Sequence, residues 1–290
     1  MKNCVFTGAC TALVTPFLEG KVNYPMLERL LQRQIDAGIR AVVIAGTTGE
    51  SATLTDFEKL ELFRRAKAFV GKDCKIIAGT GSNATEHAIH LSKAAEDMGA
   101  DALLVVTPYY NKATADGLIA HYASIAAAVD LPIIAYNVPS RTGVDLSVNV
   151  CQALSLIPNM AGIKEASGDI VKVAKLRAAV PIFPVYSGND DQIVPVMSLG
   201  GLGVVSVLSN LFPVETQAMA VAALDGDFDT AADLQLQLLP IIQALFCEVN
   251  PIPIKAAMKY IGFDCGPCRL PLTNLTEEHE NTLKRLLSVS

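Results

Sequence analysis

The sequence predicts an α/β protein, a (β/α)8 TIM barrel followed by a C-terminal helical extension. Short β-branched runs alternate with longer amphipathic stretches at intervals of about 25–30 residues, and eight such pairs fit within about 225 residues. Several runs are apolar on both faces, as the strands of a parallel sheet covered by helices must be. The 290 residues are 51% hydrophobic and 18% charged, which predicts a sizeable buried core. A doubly wound open sheet, which usually has fewer strands, is the alternative.

The expected elements alternate strictly along the chain. The strands are expected at Gly8–Val14, Ala41–Ala45, Lys75–Ala78, Ala102–Val106, Pro132–Tyr136, Gly162–Lys164, Phe183–Tyr186 and Val204–Val207. The helices that follow them are expected at Tyr24–Ala37, Thr55–Val70, Ala84–Met98, Ala115–Val129, Leu146–Leu156, Ile170–Ala178, Gln192–Leu199 and Val214–Leu224.

The alternation stops after Leu224, and only helical patterns follow. These are expected at Asp227–Phe246, Ile254–Ile261 and Thr276–Leu287, with Pro251 and Pro253 separating the first from the second. We therefore divide the chain into a catalytic barrel over residues 1–225 and a helical extension over residues 226–290.

Charge and hydropathy exclude several classes of partner. Lys and Arg number 23 and Asp and Glu number 29, a net charge of −6, so nucleic acid and anionic membranes are poor partners. The uncharged stretch 192–212 is interrupted by Pro195 and three glycines, which favours a buried strand over a membrane span. The first residues lack the apolar run of a signal peptide, and we expect a cytoplasmic protein.

The cysteines and histidines do not form a recognisable framework. Seven scattered cysteines are not the pattern of a disulfide-stabilised domain. Cys265 and Cys268 have the spacing of a thiol redox pair, but Pro271 prevents a helix from starting cleanly behind them, and whether they form a disulfide stays open. His87 and His90 could share a helix face, but a zinc site needs further ligands. We expect no metal and no organic cofactor.

Polar and small residues follow five of the expected strands. Because catalytic residues of such barrels lie at the carboxyl ends of the strands, these segments should surround one pocket. The segments are 46–51 (GTTGES), 107–111 (TPYYN), 137–143 (NVPSRTG), 164–168 (KEASG) and 187–190 (SGND).

Lys164 is the strongest candidate for a catalytic side chain. If Ile163 faces the helices, strand alternation points Lys164 into the barrel. Burial disfavours the charged form of an ammonium group, and a neutral amine can form a Schiff base with a ketone. The alternative is a strand-end lysine that reaches solvent or pairs with Glu165. Lys112, in a polar loop, and Lys255, which we expect to be structural or surface-exposed, are rival lysines.

Two further residues are expected near Lys164. Alternation puts Tyr136 on the opposite face from Ala135, at the level of Lys164, where its hydroxyl could pass protons. Arg141 follows in a loop, where its guanidinium could bind a carboxylate through two hydrogen bonds. The alternatives are a buried aromatic residue and a solvated loop arginine.

With these residues in view, the chain resembles the dihydrodipicolinate synthase family, within the class I pyruvate aldolases that also include N-acetylneuraminate lyase. The resemblance covers essentially the whole length. It rests on Gly46-Thr-Thr-Gly-Glu50, Tyr136-Asn-Val-Pro139, Gly162-Ile-Lys-Glu165, Asn250-Pro-Ile-Pro-Ile-Lys255-Ala and Cys268-Arg-Leu-Pro-Leu272. Val138-Pro-Ser-Arg141-Thr-Gly143 is more specific, because neuraminate lyases lack the arginine after Pro-Ser.

The resemblance implies a role for each matching residue. Lys164 would form an imine with pyruvate, and Tyr136, Thr47 and Tyr110 would relay protons, Tyr110 reaching into a neighbouring subunit. Thr47 and Thr48 would hold the pyruvate carboxylate, Arg141 would bind the carboxylate of L-aspartate 4-semialdehyde, and Gly188 and Val205 would line the pocket. The implied product is 4-hydroxy-tetrahydrodipicolinate, which leads to diaminopimelate and lysine. The implied assembly is a homotetramer of tight dimers or a homodimer.

The resemblance also implies a regulatory site at which this chain departs from its relatives. Ser51, Ala52, Asn83 and Tyr109 match residues that bind the inhibitor lysine in some members. Those members carry histidine, histidine and glutamate where this chain has Asp56, Lys59 and His87. A cation at Lys59 would repel the ammonium groups of the inhibitor, so we expect weak or absent inhibition by lysine. The other functions that stay open are a different pyruvate-dependent aldolase, such as a neuraminate or keto-sugar-acid lyase, and a non-catalytic binding barrel.

Overall fold

The computed structural model, which describes residues 4–289, confirms the predicted barrel. Its strands are β1 Gly8–Ala12, β2 Phe17–Leu18, β3 Lys21–Val22, β4 Ala41–Ile44, β5 Lys75–Gly79, β6 Ala102–Val106, β7 Ile133–Asn137, β8 Met160–Glu165, β9 Val185–Ser187 and β10 Gly203–Ser206. The strands β2 and β3 form a separate hairpin. The other eight are parallel and close in the order β1, β10, β9, β8, β7, β6, β5 and β4, and β4 pairs with β1 through Thr11 and Val42. The closure excludes the open-sheet alternative.

Helices surround the barrel and form the extension, close to the positions that periodicity predicts. A short helix over the Arg141 segment and the β2–β3 hairpin are additions, because neither spans enough residues to show a period. The helices are α1 Tyr24–Asp36, α2 Asp56–Val70, α3 Thr85–Asp97, α4 Ala115–Ala126, α5 Pro139–Thr142, α6 Val148–Ser155, α7 Ile170–Ala179, α8 Ile193–Ser198, α9 Pro213–Leu224, α10 Phe228–Leu245, α11 Ile252–Tyr260 and α12 Glu277–Val289.

Strand alternation divides the core into two layers. Ala135 and Ile163 belong to the larger layer between the strands and the helices. Tyr136 and Ala161 belong to the smaller layer inside the barrel. Tyr136 and Ala161 thus point into the barrel, whereas Ala135 and Ile163 point toward the helices, across a sheet that is buried on both faces.

A buried ion pair joins the extension to the segment after β4. The Lys255 ammonium lies 2.8 Å from Glu50 Oε1, and both side chains are buried. Glu50 Oε2 accepts a hydrogen bond of 2.8 Å from the Arg269 backbone N–H. The hydrogen bond from Arg269 lowers the pKa of Glu58, at the start of α2, to about 2. Because the Lys255 ammonium is buried and paired with Glu50, the expectation that Lys255 is structural is correct and the expectation that it is surface-exposed is wrong.

The Cys265 and Cys268 segment lies in a loop of the extension, and both thiols are free. Burial raises the pKa of Cys265 to about 12 and that of Cys268 to about 11, so neither is a thiolate near neutral pH. This environment is unlike that of a redox pair, whose attacking thiol needs a lowered pKa.

The boundary between barrel and extension at residue 225 falls between α9 and α10, and the division into two parts stays a prediction. Among the described residues, none of the helices combines the length and the apolar character that crossing a bilayer requires.

Removing the charge of Lys255 should destabilise the fold. We expect Lys255→Met to lower the free energy of unfolding by about 3–5 kcal/mol, because it leaves the buried Glu50 carboxylate without its partner. Urea denaturation measures the change. Glu50→Gln in the same chain should restore most of the loss. The control Lys259→Met, whose ammonium lies 3.9 Å from Asp264 at the surface, should cost less than about 1 kcal/mol. Equal losses in the two lysine variants would contradict the importance of the buried pair.

Candidate active site

A cavity of about 150 Å³ opens at the carboxyl ends of the barrel strands. It brings together six residues predicted to act there, namely Thr47, Thr48, Tyr136, Arg141, Lys164 and Gly188. Its complete lining is Ala12, Val43, Gly46, Thr47, Thr48, Leu104, Tyr136, Val138, Ser140, Arg141, Lys164, Ala166, Gly188, Asn189, Val207, Phe246 and Asn250.

Lys164 lies on β8 beside Tyr136 of β7. The two residues are register partners, and the Lys164 Nζ atom lies 4.1 Å from the centroid of the Tyr136 ring. Lys164 is 6% exposed, so its ammonium does not extend into bulk solvent. An aromatic ring attracts a cation more weakly than a carboxylate does, and this ring is the group that the Lys164 ammonium contacts.

Glu165, the next residue, bonds to groups other than Lys164. Its carboxylate accepts hydrogen bonds from Asn137 Nδ2 at 3.0 Å and from the Ser167 backbone N–H at 2.6 Å. It also forms an ion pair of 3.2 Å with Lys172 of α7. Because alternation turns Glu165 toward the helices, the alternative in which Lys164 pairs with Glu165 is wrong.

Gly188, after β9, allows the wall of the cavity to lie against Lys164. A Cβ atom at this position would lie 3.0 Å from Lys164 Cε and 2.6 Å from Ala166 Cβ. Any side chain here would therefore have to displace either the lysine stem or the end of β8.

Thr47 and Thr48 enter the cavity from the segment after β4. Thr48 Oγ1 accepts a hydrogen bond of 3.0 Å from Asn250 Nδ2, and both residues are buried. Asn250 lies between α10 and α11, so the extension contributes directly to the cavity. No periodicity marks Asn250 as a site residue; its only signal is its place in the Asn-Pro-Ile-Pro-Ile-Lys motif.

Arg141 stands at the mouth of the cavity on the short helix α5, where the sequence predicts a loop. The residue is exposed, and Pro139 occupies the first turn of the helix. Asn137 fixes the position of the segment after α5. Its Nδ2 donates to Asp145 Oδ1 at 2.8 Å, and its Oδ1 accepts a hydrogen bond of 2.9 Å from the Leu146 backbone N–H.

Asp190 is a further buried acid near Lys164. Its Oδ2 accepts hydrogen bonds from the backbone N–H groups of Val207 and Leu208, at 2.9 and 3.0 Å. Burial raises the pKa of Asp190, while hydrogen bonds from Ser206 and the backbone and the charge of Lys164 oppose the rise. The acid thereby joins the ends of β9 and β10. Its position in the predicted segment 187–190 was its only signal.

A larger cavity of about 510 Å³ adjoins the first. The two share the wall residues Gly46, Thr47, Leu104, Tyr136, Val138, Arg141 and Asn250. Beyond this shared wall, the larger cavity is lined by the predicted regulatory residues Ser51, Ala52 and Tyr109, together with Asp56, Lys59 and His87. His87 Nε2 lies 2.9 Å from Asp56 Oδ2, and burial lowers the pKa of Lys59 while the charge of Asp56 opposes this.

Three predicted residues lie away from the two cavities. Tyr110 is 93% exposed, with a backbone φ of 75°, and points to no part of the site within this chain. Val205 is buried inside the barrel on β10, whereas Val207, two residues later, lines the smaller cavity. Asn83 is exposed. The roles of all the site residues stay predictions.

Among residues 4–289, no group of three or more His, Cys, Asp or Glu side chains is arranged to hold a metal ion.

A closed (β/α)8 barrel with a buried lysine facing a cavity at the carboxyl ends of its strands defines an enzyme of the barrel class. The model of the Dihydrodipicolinate synthetase family matches residues 5–290, and the chain belongs to this family. A relative named 4-hydroxy-tetrahydrodipicolinate synthase, from Caldicellulosiruptor saccharolyticus, is 50% identical over 284 residues, which cover 98% of this chain and 96% of the relative.

Two solved structures are similar over nearly the whole chain. The chloride-inhibited dihydrodipicolinate synthase from Acinetobacter baumannii, complexed with pyruvate, has a TM-score of 0.95 and 43% identity and covers 97% of this chain and 98% of its own. The enzyme from Cyanidioschyzon merolae with lysine bound has a TM-score of 0.95 and 43% identity, with coverage of 99% and 98%. The predicted family and the prediction of a lyase are confirmed, and the main functional prediction is favoured over the sugar-acid lyase and the binding barrel.

Filling the space at Gly188 should impair the site without unfolding the chain. We expect Gly188→Ala to lower kcat/KM by at least about 10-fold, because the new methyl group displaces the Lys164 stem. Steady-state kinetics with circular dichroism measures both properties. Gly117→Ala in α4, where the new methyl group meets only ordinary contacts, is the control and should leave kcat/KM unchanged. Equal activities for the two variants would contradict this packing argument.

Proposed function

We propose that this chain condenses pyruvate with L-aspartate 4-semialdehyde through a Schiff base on Lys164, giving 4-hydroxy-tetrahydrodipicolinate. The observation that carries the proposal is the buried Lys164 amine, which faces a cavity beside the Tyr136 ring and has no carboxylate partner among the described residues. The names of the relatives support the same reaction, and one relative's structure contains pyruvate.

The first stage joins pyruvate to Lys164. The neutral amine attacks the ketone carbon of pyruvate, and after proton transfer to the carbonyl oxygen, water leaves and a C=N bond remains. The imine withdraws electrons, so the methyl group of pyruvate loses a proton and becomes a carbon nucleophile. Thr47 and Thr48 hold the pyruvate carboxylate at the end of β4.

Protons move through hydroxyl groups around Lys164. Tyr136 is the first of them, and its ring lies against the ammonium. Thr47 lines the same cavity, and Tyr110 of a second copy completes the relay. The exposure of Tyr110 supports this, because a 93% exposed tyrosine is free to enter a neighbouring subunit. The same proposal includes assembly as a cytoplasmic homotetramer of tight dimers or a homodimer.

The second stage forms the carbon–carbon bond. The enamine carbon attacks the aldehyde carbon of L-aspartate 4-semialdehyde, whose oxygen takes up a proton. The substrate's amine then attacks the imine carbon and displaces Lys164, which closes the ring and frees the enzyme. Arg141, at the cavity mouth, binds the substrate carboxylate. A sugar substrate would leave this guanidinium unpaired, which is why Arg141 disfavours the sugar-acid lyases.

Trapping the imine tests this function. Incubation with pyruvate and borohydride should reduce the imine to a stable adduct that mass spectrometry locates on Lys164. Lys164→Ala should lose the adduct and at least about 1,000-fold in kcat, since the nucleophile is removed. Lys112→Arg, at an exposed loop lysine, is the matched control and should retain both.

Two results would contradict the proposal. Absence of an adduct on Lys164 would remove both aldolase functions and leave the binding barrel. An adduct accompanied by turnover of N-acetylneuraminate, but not of L-aspartate 4-semialdehyde, would assign the chain to the sugar-acid lyases.

L-Lysine should inhibit this enzyme weakly or not at all. Lys59, which is 7% exposed, lines the larger cavity with Ser51, Ala52 and Tyr109, and its positive charge repels the ammonium groups of lysine. His87, where lysine-sensitive relatives have glutamate, supplies no permanent negative charge. Initial rates measured against increasing lysine test this, and half-maximal inhibition at sub-millimolar lysine would contradict it. Lys59→His should increase any residual sensitivity.

A further inference from the structure

We propose that Asn250, from the extension, is a positioning residue that fixes the Thr48 hydroxyl as a hydrogen-bond donor to the carboxylate of pyruvate. This inference rests on the proposed function, which places that carboxylate at Thr47 and Thr48. It adds a residue from outside the barrel to the machinery of the reaction.

The contact between the two side chains sets the polarity of the hydroxyl. Asn250 Nδ2 donates to Thr48 Oγ1 at 3.0 Å, across 202 residues of sequence. A hydroxyl has one proton to donate and two lone pairs to accept with. Because the amide N–H already occupies one lone pair of Oγ1, the Thr48 proton is free to point at an acceptor elsewhere. An anion in the cavity is such an acceptor.

The surroundings of Asn250 argue against a purely stabilising contact. Asn250 is 5% exposed, and its Oδ1 atom has no hydrogen-bond partner within residues 4–289. A buried carbonyl oxygen without a donor is costly, so an apolar side chain would serve stability at least as well. Asn159, which is half-buried, is a comparison whose amide is used within the fold. Its Nδ2 donates to three backbone carbonyls, at 3.0, 3.0 and 3.3 Å, and the residue lines neither cavity.

Asn250 also lies where such an effect matters. It belongs to the wall that the smaller and the larger cavity share, together with Thr47, Tyr136 and Arg141. No Asp or Glu side chain of the described chain lines the smaller cavity, so nothing there competes with pyruvate for the Thr48 proton with a full negative charge.

The test compares two substitutions by imine trapping at increasing pyruvate concentrations. Asn250→Leu removes the donor, so the half-saturating pyruvate concentration should rise about 3- to 10-fold, as for a lost neutral hydrogen bond. In Asn250→Asp an acceptor faces Thr48, draws the hydroxyl proton away from pyruvate and repels its carboxylate. The rise should then be about 10- to 100-fold, while the extent of trapping at saturation stays the same.

A double-mutant cycle with Thr48→Val distinguishes the loss of this one contact from a general disturbance of the fold. Once the hydroxyl is gone, adding Asn250→Leu should raise the half-saturating concentration less than about 2-fold further. The control Asn159→Asp should lower the thermal midpoint without changing pyruvate saturation. Additive effects in the cycle, or an Asn250→Asp variant with unchanged pyruvate saturation, would overturn the proposal. Failure of trapping in the wild-type chain would instead refute the proposed function.

Discussion

The ion pair between Glu50 and Lys255 is the constraint on which the site depends. Two opposite charges buried together at 2.8 Å can persist only if each remains beside the other, because either one alone would be an uncompensated charge in the interior. The pair therefore fixes the segment after β4 against the extension. Thr47 and Thr48 belong to that segment, and Asn250 lies directly before α11, the helix that carries Lys255. The extension is thus part of the active site as well as a cover for the barrel.

A second constraint acts across two adjacent strands. β7 and β8 are paired so that Tyr136 and Lys164 face the interior together, while Asn137 and Glu165 face the helices together. In the inward pair, the Lys164 amine lies over the Tyr136 ring. In the outward pair, the Asn137 amide donates to the Glu165 carboxylate, which also forms an ion pair with Lys172. One register thereby separates Lys164 from Glu165, the acid immediately beside it in sequence. A slip of one residue would exchange the two sets.

The parts that could be predicted from sequence are those governed by local periodicity. The eight barrel strands follow from short β-branched runs between amphipathic stretches, the direction of Lys164 follows from strand alternation, and the long helices follow from a repeat of 3.6 residues. Thr48 and Asn250 lie 202 residues apart, and only the folded chain brings them into contact. The turn at Arg141 spans four residues, too few to show a period. Tyr110 is 93% exposed in the single chain, so folding of this chain alone brings it to no other predicted catalytic residue.

Lys255 and Lys164 are both buried, but the groups that surround them differ. Both are about 5% exposed, and both lie against an aromatic ring, Phe17 at 4.5 Å and Tyr136 at 4.1 Å. Lys255 also has a carboxylate at hydrogen-bond distance and is held with Glu50 in a buried ion pair. Lys164 has no such partner in the described chain. Burial raises the pKa of Asp190, on which the charge of Lys164 acts, and the Asp190 carboxylate accepts hydrogen bonds from the backbone N–H groups of Val207 and Leu208. The difference in pairing follows from where the carboxylates are placed, because the two lysines are almost equally buried.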